Sequence, residues 1–192
     1  LQISEENTYD IGVVTGTTLS VIWNISEFSK EAEDEGAQFV NPAMFPGTTI
    51  NAPSSMVSIK LNVKGFNTTI STGYSASLDS LRYAADFIRM GKAKAVLVAG
   101  VEVLFFQSFV GFSKLEFLAG IKGKEISSPF DLRRNGIIIG EGSAVLVLEN
   151  SKIRGIFSER DCVQNLANLS DCSLDAPITG FMTSPVYFVT PD

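Results

Sequence analysis

The segment Asn67-Thr-Thr-Ile-Ser-Thr-Gly-Tyr-Ser-Ala-Ser-Leu78 has an order of residue types that suits the mounting of a nucleophile. Thr68 to Ser71 is rich in β-branched residues and fits a short strand. Gly73 allows a sharp turn. Apolar residues then recur at helical spacing, Leu78, Leu81, Ala84, Ala85 and Ile88, and the pattern ends at Gly91. A strand that turns sharply into a helix holds one side chain at the helix N-terminus. Free N–H groups and the dipole there favour negative charge, and many enzymes put a nucleophile at such a point. In this chain the residue at the point is Tyr74.

Few other residues offer chemistry. Ser71, Ser75 and Ser77 flank the turn, and Glu102 and Glu141 are the carboxylates that would have to serve them as bases. Nothing in the spacing supplies a positioned base, so turn and helix-cap roles are expected for the serines. The sequence contains no histidine, which removes the usual general base and the commonest metal ligand. Cys162 and Cys172 fit neither a disulfide framework nor a zinc site and read as two ordinary thiols. No metal and no cofactor is expected.

The elements that must position Tyr74 can be read on either side of it. The chain has 192 residues, 45% of them hydrophobic, enough for one sizeable core, and a single domain over 1–192 is expected. Asp10 to Thr15 reads as a buried strand. Leu19 to about Glu33 has helical spacing through Leu19, Ile22, Trp23, Ile25 and Phe28. Asn41 to Pro53, with three prolines, reads as irregular, and Ser54 to Leu61 as a short helix. Ala95 to Ala99 is a continuous apolar run of the kind found in central strands covered on both faces. Together with Thr68 onward it makes a βαβ unit. Leu104 to Leu118, rich in phenylalanine, is expected to pack in the core, with the wall of an apolar cavity as the alternative. Ile137 to Ile139 and Ser143 to Leu148 read as two strand segments around Gly140-Glu141-Gly142. The expectation is an α/β domain, a mixed sheet with helices on both faces.

Charge and hydropathy exclude some classes. A net charge of −6 argues against a general nucleic-acid affinity. The densest acidic run, Glu31 to Glu35, reads as a solvated loop or helix end. No apolar run reaches the roughly 18 residues of a membrane span. The N-terminus lacks the basic and apolar regions of a signal peptide, so a cytoplasmic setting is expected.

Several motifs in one order carry a resemblance. They are Lys64-Gly65-Phe66-Asn67, Ser71-Thr72-Gly73-Tyr74-Ser75-Ala76, Ala95 to Glu102 (AVLVAGVE), Pro129-Phe130-Asp131 and Asn135-Gly136, followed by Gly140-Glu141-Gly142-Ser143 and Val145 to Glu149. Together they resemble the β-ketoacyl-acyl-carrier-protein synthases, condensing enzymes of fatty-acid and polyketide synthesis with a thiolase-type fold. The likeness runs from about Asp10 to about Asn150, and weakly on through Ser173 to Pro185. It implies the N-terminal half of that fold.

The departures shape what the resemblance implies. The family residue matching Tyr74 is the cysteine that takes up the acyl chain, and a helix N-terminus suits a thiolate. Tyrosine is a poor substitute, because a phenol is less acidic than a thiol and its ring is far bulkier. The family also uses two histidines from a C-terminal half that this sequence lacks, and its opening strand and helix are missing too. The chain as written is therefore not expected to carry out condensation by itself. The role implied is that of a non-catalytic subunit of the chain-length-factor type, paired with an active ketosynthase or with a second copy, and serving an acyl carrier protein. Asn67, Thr68, Thr69, Ile70 and Ser71 would pair with their counterparts across a dimer. Leu19 and Met44 match positions that line the acyl pocket, Met44 reaching across the interface. Tyr74 would either plug that pocket or merely fill the vacated space. Two alternatives stand beside this: a binding or structural protein that holds an acyl chain or carrier protein, and one piece of a longer ketosynthase-like chain. A half-fold of this kind is also expected to expose an apolar face.

Overall fold

A computed structural model describes residues 3–150 and 152–158 of the chain. The weak likeness expected over Ser173 to Pro185, and both cysteines, lie outside the described residues. The chain divides into two compact units. The first comprises Leu1–Thr18, Ile50–Val101 and Gly142–Asp192, and the second Leu19–Thr49 and Glu102–Glu141.

The first unit is built on a five-stranded sheet. In chain order the strands are β1 (Ile11–Gly16), β2 (Asn67–Ile70), β3 (Ala95–Glu102), β4 (Gly142–Glu149) and β5 (Lys152–Ser158), and in space they run β2-β1-β3-β4-β5. β1 pairs parallel with both β2 and β3, whereas β4 and β5 pair antiparallel, so the sheet is mixed. Every residue of β1 is buried, as a central strand covered on both faces requires. The strand period of two divides its side chains between the faces. Ile11 and Val13 join Ala95 and Val63 in one cluster, while Val14 joins Val96, Val98 and Ala84 in another. Helix α2 (Ala52–Leu61) packs against β1 and β2, and helix α3 (Ala76–Arg89) supplies Ala84 to the second cluster. The mixed sheet covered on both faces is as the sequence led us to expect.

Helix α3 buries a narrower stripe than its sequence suggests. Ala76, Ser80 and Ala84, spaced by four, are its buried residues, with Leu81, Ala85 and Ile88 beside them. Leu78, counted above with the apolar face, is 72% exposed. Ser80 is tolerated in the stripe because its hydroxyl donates to the Ala76 carbonyl at 2.8 Å. Small residues there bring the helix close to the sheet. Phe66, Tyr83 and Phe87 cover the same face as an aromatic group, with Phe66 and Phe87 ring centroids 4.3 Å apart.

The second unit holds α1 (Ile22–Glu35), a 3-10 segment Pro42–Thr48 and α4 (Phe106–Lys114). Helix α1 starts three residues later than Leu19, because Leu19 has another partner, given below. The prolines in Asn41 to Pro53 do not leave the whole stretch irregular. Pro42 opens the 3-10 segment behind the Asn41 cap, and Pro53 falls in the first turn of α2, where a missing N–H costs nothing. The expected core packing of the phenylalanine-rich stretch is not met within this unit. Helix α4 has only nine residues and buries none of them, and Phe106 is 72% exposed. Ile137 to Ile139 is not a strand either. Ile137 forms one isolated bridge with Leu118, and β4 begins at Gly142.

Candidate functional site

The turn at Tyr74 is assembled from the ends of three parallel strands. β2 stops at Ile70, so Ser71 lies beyond the strand in which it was expected to pair. Gly73 takes φ +73°, a left-handed conformation that side chains with a Cβ rarely adopt. A single 3-10 turn, Gly73–Ser75, then runs directly into α3. The helix start sits against the ends of β1 and β3. A Cβ on Gly16 would lie 2.5 Å from the Ala76 carbonyl oxygen, and one on Gly100 would lie 2.5 Å from Ser77 Oγ.

Hydrogen bonds from the loop after β1 fix the turn. The Thr17 N–H donates to the Ile70 carbonyl at 3.1 Å. Thr18 Oγ1 donates to the Gly73 carbonyl at 3.1 Å, and Ser71 Oγ donates to the Thr18 carbonyl at 3.4 Å. The peptide unit is planar. Fixing the Gly73 carbonyl therefore also fixes the direction of the Tyr74 N–H. The Tyr74 side chain itself is 86% exposed, so its ring fills no cavity of this unit.

A carboxylate spans the same turn. Asp79 Oδ2 accepts hydrogen bonds from the hydroxyls of Thr72 and Ser75, the latter at 2.9 Å. These two residues stand on either side of Tyr74. The Thr72 hydroxyl, then the Ser75 hydroxyl, and to a smaller extent the Arg82 charge hold the Asp79 carboxyl below its ordinary value. Ser71 and Ser75 are thus both engaged in the turn, but Ser75, at the N-cap position of α3, makes no side-chain cap hydrogen bond, so the expected cap role is not met there.

Among the described residues, the strand expected to pair across a dimer forms one edge of the sheet, since β2 has β1 as its neighbour in the strand order. Its side chains are engaged within the unit. Asn67 Nδ2 donates to the Ser54 carbonyl at 2.9 Å and to Ser58 Oγ at 2.6 Å. Ser54 Oγ lies 2.8 Å from Asn67 Oδ1 and 2.9 Å from Thr69 Oγ1. Asn67 and Thr69 therefore face α2. By alternation Thr68 and Ile70 face the other way, and Ile70 packs against the α3 cluster. Near this edge α2 leaves Met56 and Ile59 exposed, the latter by 79%.

Leu19 and Met44 belong to the second unit. The Leu19 N–H donates to Glu102 Oε1 at 2.9 Å, and both residues are half-buried in part. Met44 lies within the 3-10 segment, and its N–H donates to the Asn41 carbonyl at 3.0 Å. Glu141 Oε2 accepts from the Leu104 N–H at 3.3 Å. The two carboxylates considered above as bases thus act as acceptors for backbone N–H groups. Thr18 and Asp79 were not singled out from the sequence. The spacing of four between Ser75 and Asp79, which brings two side chains to one helix face, is the signal by which the second could have been found.

A mixed sheet with a strand–turn–helix elbow at the carboxyl ends of its parallel strands is an α/β arrangement. Residues 2–152 match the family model described as beta-ketoacyl synthase, N-terminal domain, and the chain belongs to that family. It is 30% identical over 161 residues to a 3-oxoacyl-[acyl-carrier-protein] synthase 2 of Vibrio harveyi, an alignment that takes in 81% of this chain and 39% of the relative. It is 31% identical over 152 residues to the protein of the same description from Coxiella burnetii, covering 78% of this chain and 37% of the relative. The chain thus spans less than two-fifths of the length of these relatives. A crystal structure of a beta-ketoacyl synthase from Burkholderia phymatum shares the fold with a TM-score of 0.68 at 23% identity, over 81% of this chain and 41% of that one. The ishigamide ketosynthase/chain length factor shares it with a TM-score of 0.58 at 23% identity, over 74% of this chain and 36% of that one. A ketosynthase-containing type II polyketide assembly with its acyl-carrier protein does so with a TM-score of 0.67 at 24% identity, over 81% and 42%. Among the described residues no helix is long and apolar enough to cross a membrane.

Proposed function

We propose that this chain is a non-catalytic, ketosynthase-like subunit of fatty-acid or polyketide synthesis. It pairs with an active ketosynthase, or with a second copy of itself, and shapes an acyl pocket in the manner of a chain-length factor. The observation that carries this reading is Tyr74. A bulky, 86% exposed phenol stands at the tip of an elbow whose backbone suits a nucleophile, in a sequence without histidine. A ring that fills no cavity of its own unit is available to enter one formed with another body. The edge position of β2 supports pairing through Asn67 to Ile70, with Ser71 just beyond, because an edge strand offers unpaired backbone groups. Leu19 and Met44 are assigned to the pocket wall, and an acyl carrier protein to the partner that delivers the chain. Two structural neighbours, one a ketosynthase/chain length factor and one a ketosynthase with its acyl-carrier protein, are in keeping with this.

The test is to combine the protein with candidate active ketosynthases and measure product lengths for Tyr74→Ala and Tyr74→Trp. The reading expects longer products with alanine and shorter ones with tryptophan. Unchanged lengths in a complex that does form would refute the pocket role. A second reading, that the chain acts as one part of a longer polypeptide, is favoured by its coverage of only 39% of its Vibrio relative. The intact mass of the natural protein distinguishes it, since a mass near 20.7 kDa leaves no room for another half.

A further inference from the structure

Glu102 closes β3 as a half-buried residue, and its carboxylate reaches the chain that leaves β1. The two strands pair in parallel register as far as Gly16 and Gly100. Past that pair a side chain continues the tie, because the Leu19 N–H donates to Glu102 Oε1 at 2.9 Å. The Leu19 N–H and the Thr18 carbonyl belong to one planar peptide unit. The carbonyl of that unit accepts from Ser71 Oγ at 3.4 Å. The unit is thus gripped on both sides, by Glu102 at the end of β3 and by Ser71 just beyond β2.

Thr18 carries that grip to the elbow. The planar unit includes the Thr18 Cα, the atom from which the side chain starts. Its Oγ1 donates to the Gly73 carbonyl at 3.1 Å. The same carbonyl accepts from the Ala76 N–H, the bond that closes the 3-10 turn around Tyr74. We propose that Glu102 is a positioning residue for the elbow. By holding the Thr18–Leu19 peptide it keeps the Thr18 hydroxyl on the Gly73 carbonyl, and so sets the turn that presents Tyr74. Each bond lies within one unit, Leu19 to Glu102 in the second and Thr18 to Ser71 and Gly73 in the first, and the covalent chain joins them. A carboxylate at the end of β3 thereby fixes the backbone at Leu19 directly and at Tyr74 through Thr18. The pocket roles of those two residues rest on the function proposed above. The coupling of Glu102 to the elbow is read on this chain alone, so either can fail while the other stands.

Amide exchange followed residue by residue by NMR reads both ends of the link. Leu19 reports on the bond to the carboxylate, and Ala76 on the bond to the Gly73 carbonyl. Glu102→Ala is expected to speed exchange at both by about three- to tenfold, the range that one net hydrogen bond is worth, with Val13 and Val98 of the central strands within about twofold of the parent. Glu102→Gln keeps an oxygen acceptor and is expected to restore most of the protection at both positions. Thr18→Val keeps the branched shape but removes the hydroxyl. It is expected to speed Ala76 by a similar factor and to leave Leu19 within about twofold of the parent. Adding Glu102→Ala to Thr18→Val should make Ala76 no faster, because the link runs through the Thr18 hydroxyl. Should Glu102→Ala fail to fold by circular dichroism, Glu102→Asp, one methylene shorter, is expected to show the same pattern. Ala76 protection that is unchanged when Leu19 is freed overturns the proposal. So does acceleration at Ala76 that adds to that of Thr18→Val, or a glutamine that fails to restore it.

Discussion

Ser54 is the most informative residue to perturb, because one fully buried hydroxyl ties α2 to the edge strand on which pairing would depend. Ser54 is 0% exposed. Its Oγ lies 2.9 Å from the Asn51 carbonyl, 2.8 Å from Asn67 Oδ1 and 2.9 Å from Thr69 Oγ1. A hydroxyl has one proton to donate and two lone pairs with which to accept. It therefore donates to Asn51 or Asn67 and accepts from Thr69. Ser54→Ala removes both at once. The Thr69 hydroxyl, half-buried, loses its acceptor, and either the Asn51 carbonyl or Asn67 Oδ1 loses a donor. Asn67 is exposed enough to recover a water, which puts the cost at the lower end of the usual range, about 1–2 kcal/mol. For a chain of this size that is a fall in Tm of about 2–8 °C. Urea unfolding followed by circular dichroism should show a lower midpoint at unchanged slope. Amide exchange should accelerate in Asn67 to Ile70 more than in β3. Ser55→Ala, one residue on, is the control, since the Ser55 hydroxyl has a long contact of 3.5 Å with Asn51 Nδ2, and its backbone bond to Asn51 survives the substitution. It should lie within about 0.5 kcal/mol of the parent. A Ser54→Ala variant that matches this control in both midpoint and exchange would refute the claim that the hydroxyl fixes the strand.

Three further outcomes follow from the elbow. Gly16→Ala places a methyl 2.5 Å from the backbone oxygen of Ala76, an atom that cannot swing aside, and should destabilise by about 1–3 kcal/mol in urea titration. Asp79 has a lowered folded-state value, so its contribution to stability is complete above the ordinary 3.8 and is lost as pH falls through the folded value. The stability gap between the parent and Asp79→Asn should therefore stay constant above about pH 5 and shrink below 3.8 in pH-dependent unfolding. Tyr74→Ala should unfold within about 0.5 kcal/mol of the parent, because the ring is 86% exposed and supports no packing in its unit.

The central sheet was legible because its signals are local. The apolar runs at Ile11 to Thr15 and Ala95 to Ala99 have no other use than central strands, and β-branched residues mark β2. The small residues of α3 were harder to read. Leu78 looks like part of the buried face by spacing, yet the true stripe is Ala76, Ser80 and Ala84, and at its first turn the helix approaches Gly16 and Gly100 closely, through Ala76 and Ser77. The phenylalanines of Leu104 to Leu118 were misread for a related reason. Aromatic content signals a need for burial without saying where it is met, and α4 does not meet it within its own unit. At the site, the elbow was readable from Gly73 and the strand–helix order, while Thr18 was not, because its partners Ser71 and Gly73 are more than fifty residues away.

The shape of the elbow and its reactivity are encoded in different residues. Its backbone depends on Gly73 for the turn, on Gly16, Gly100 and Ala76 for the close approach of α3, and on Thr18 for the bonds that hold the Gly73 carbonyl. None of these is the residue at the tip. The Tyr74 side chain is 86% exposed, so its identity is free to change while the fold stays as it is. That separation explains how a chain can match the family over residues 2–152 and still carry a bulky, exposed phenol at the tip of its elbow. It also explains why Asp79 carries information that Tyr74 alone does not. A tip residue can drift without structural consequence, whereas a carboxylate braced by hydroxyls on both sides of the tip belongs to the elbow's own hydrogen bonding. The brace joins Thr72 and Ser75 across the tip, so it holds the turn without calling on the side chain that stands between them.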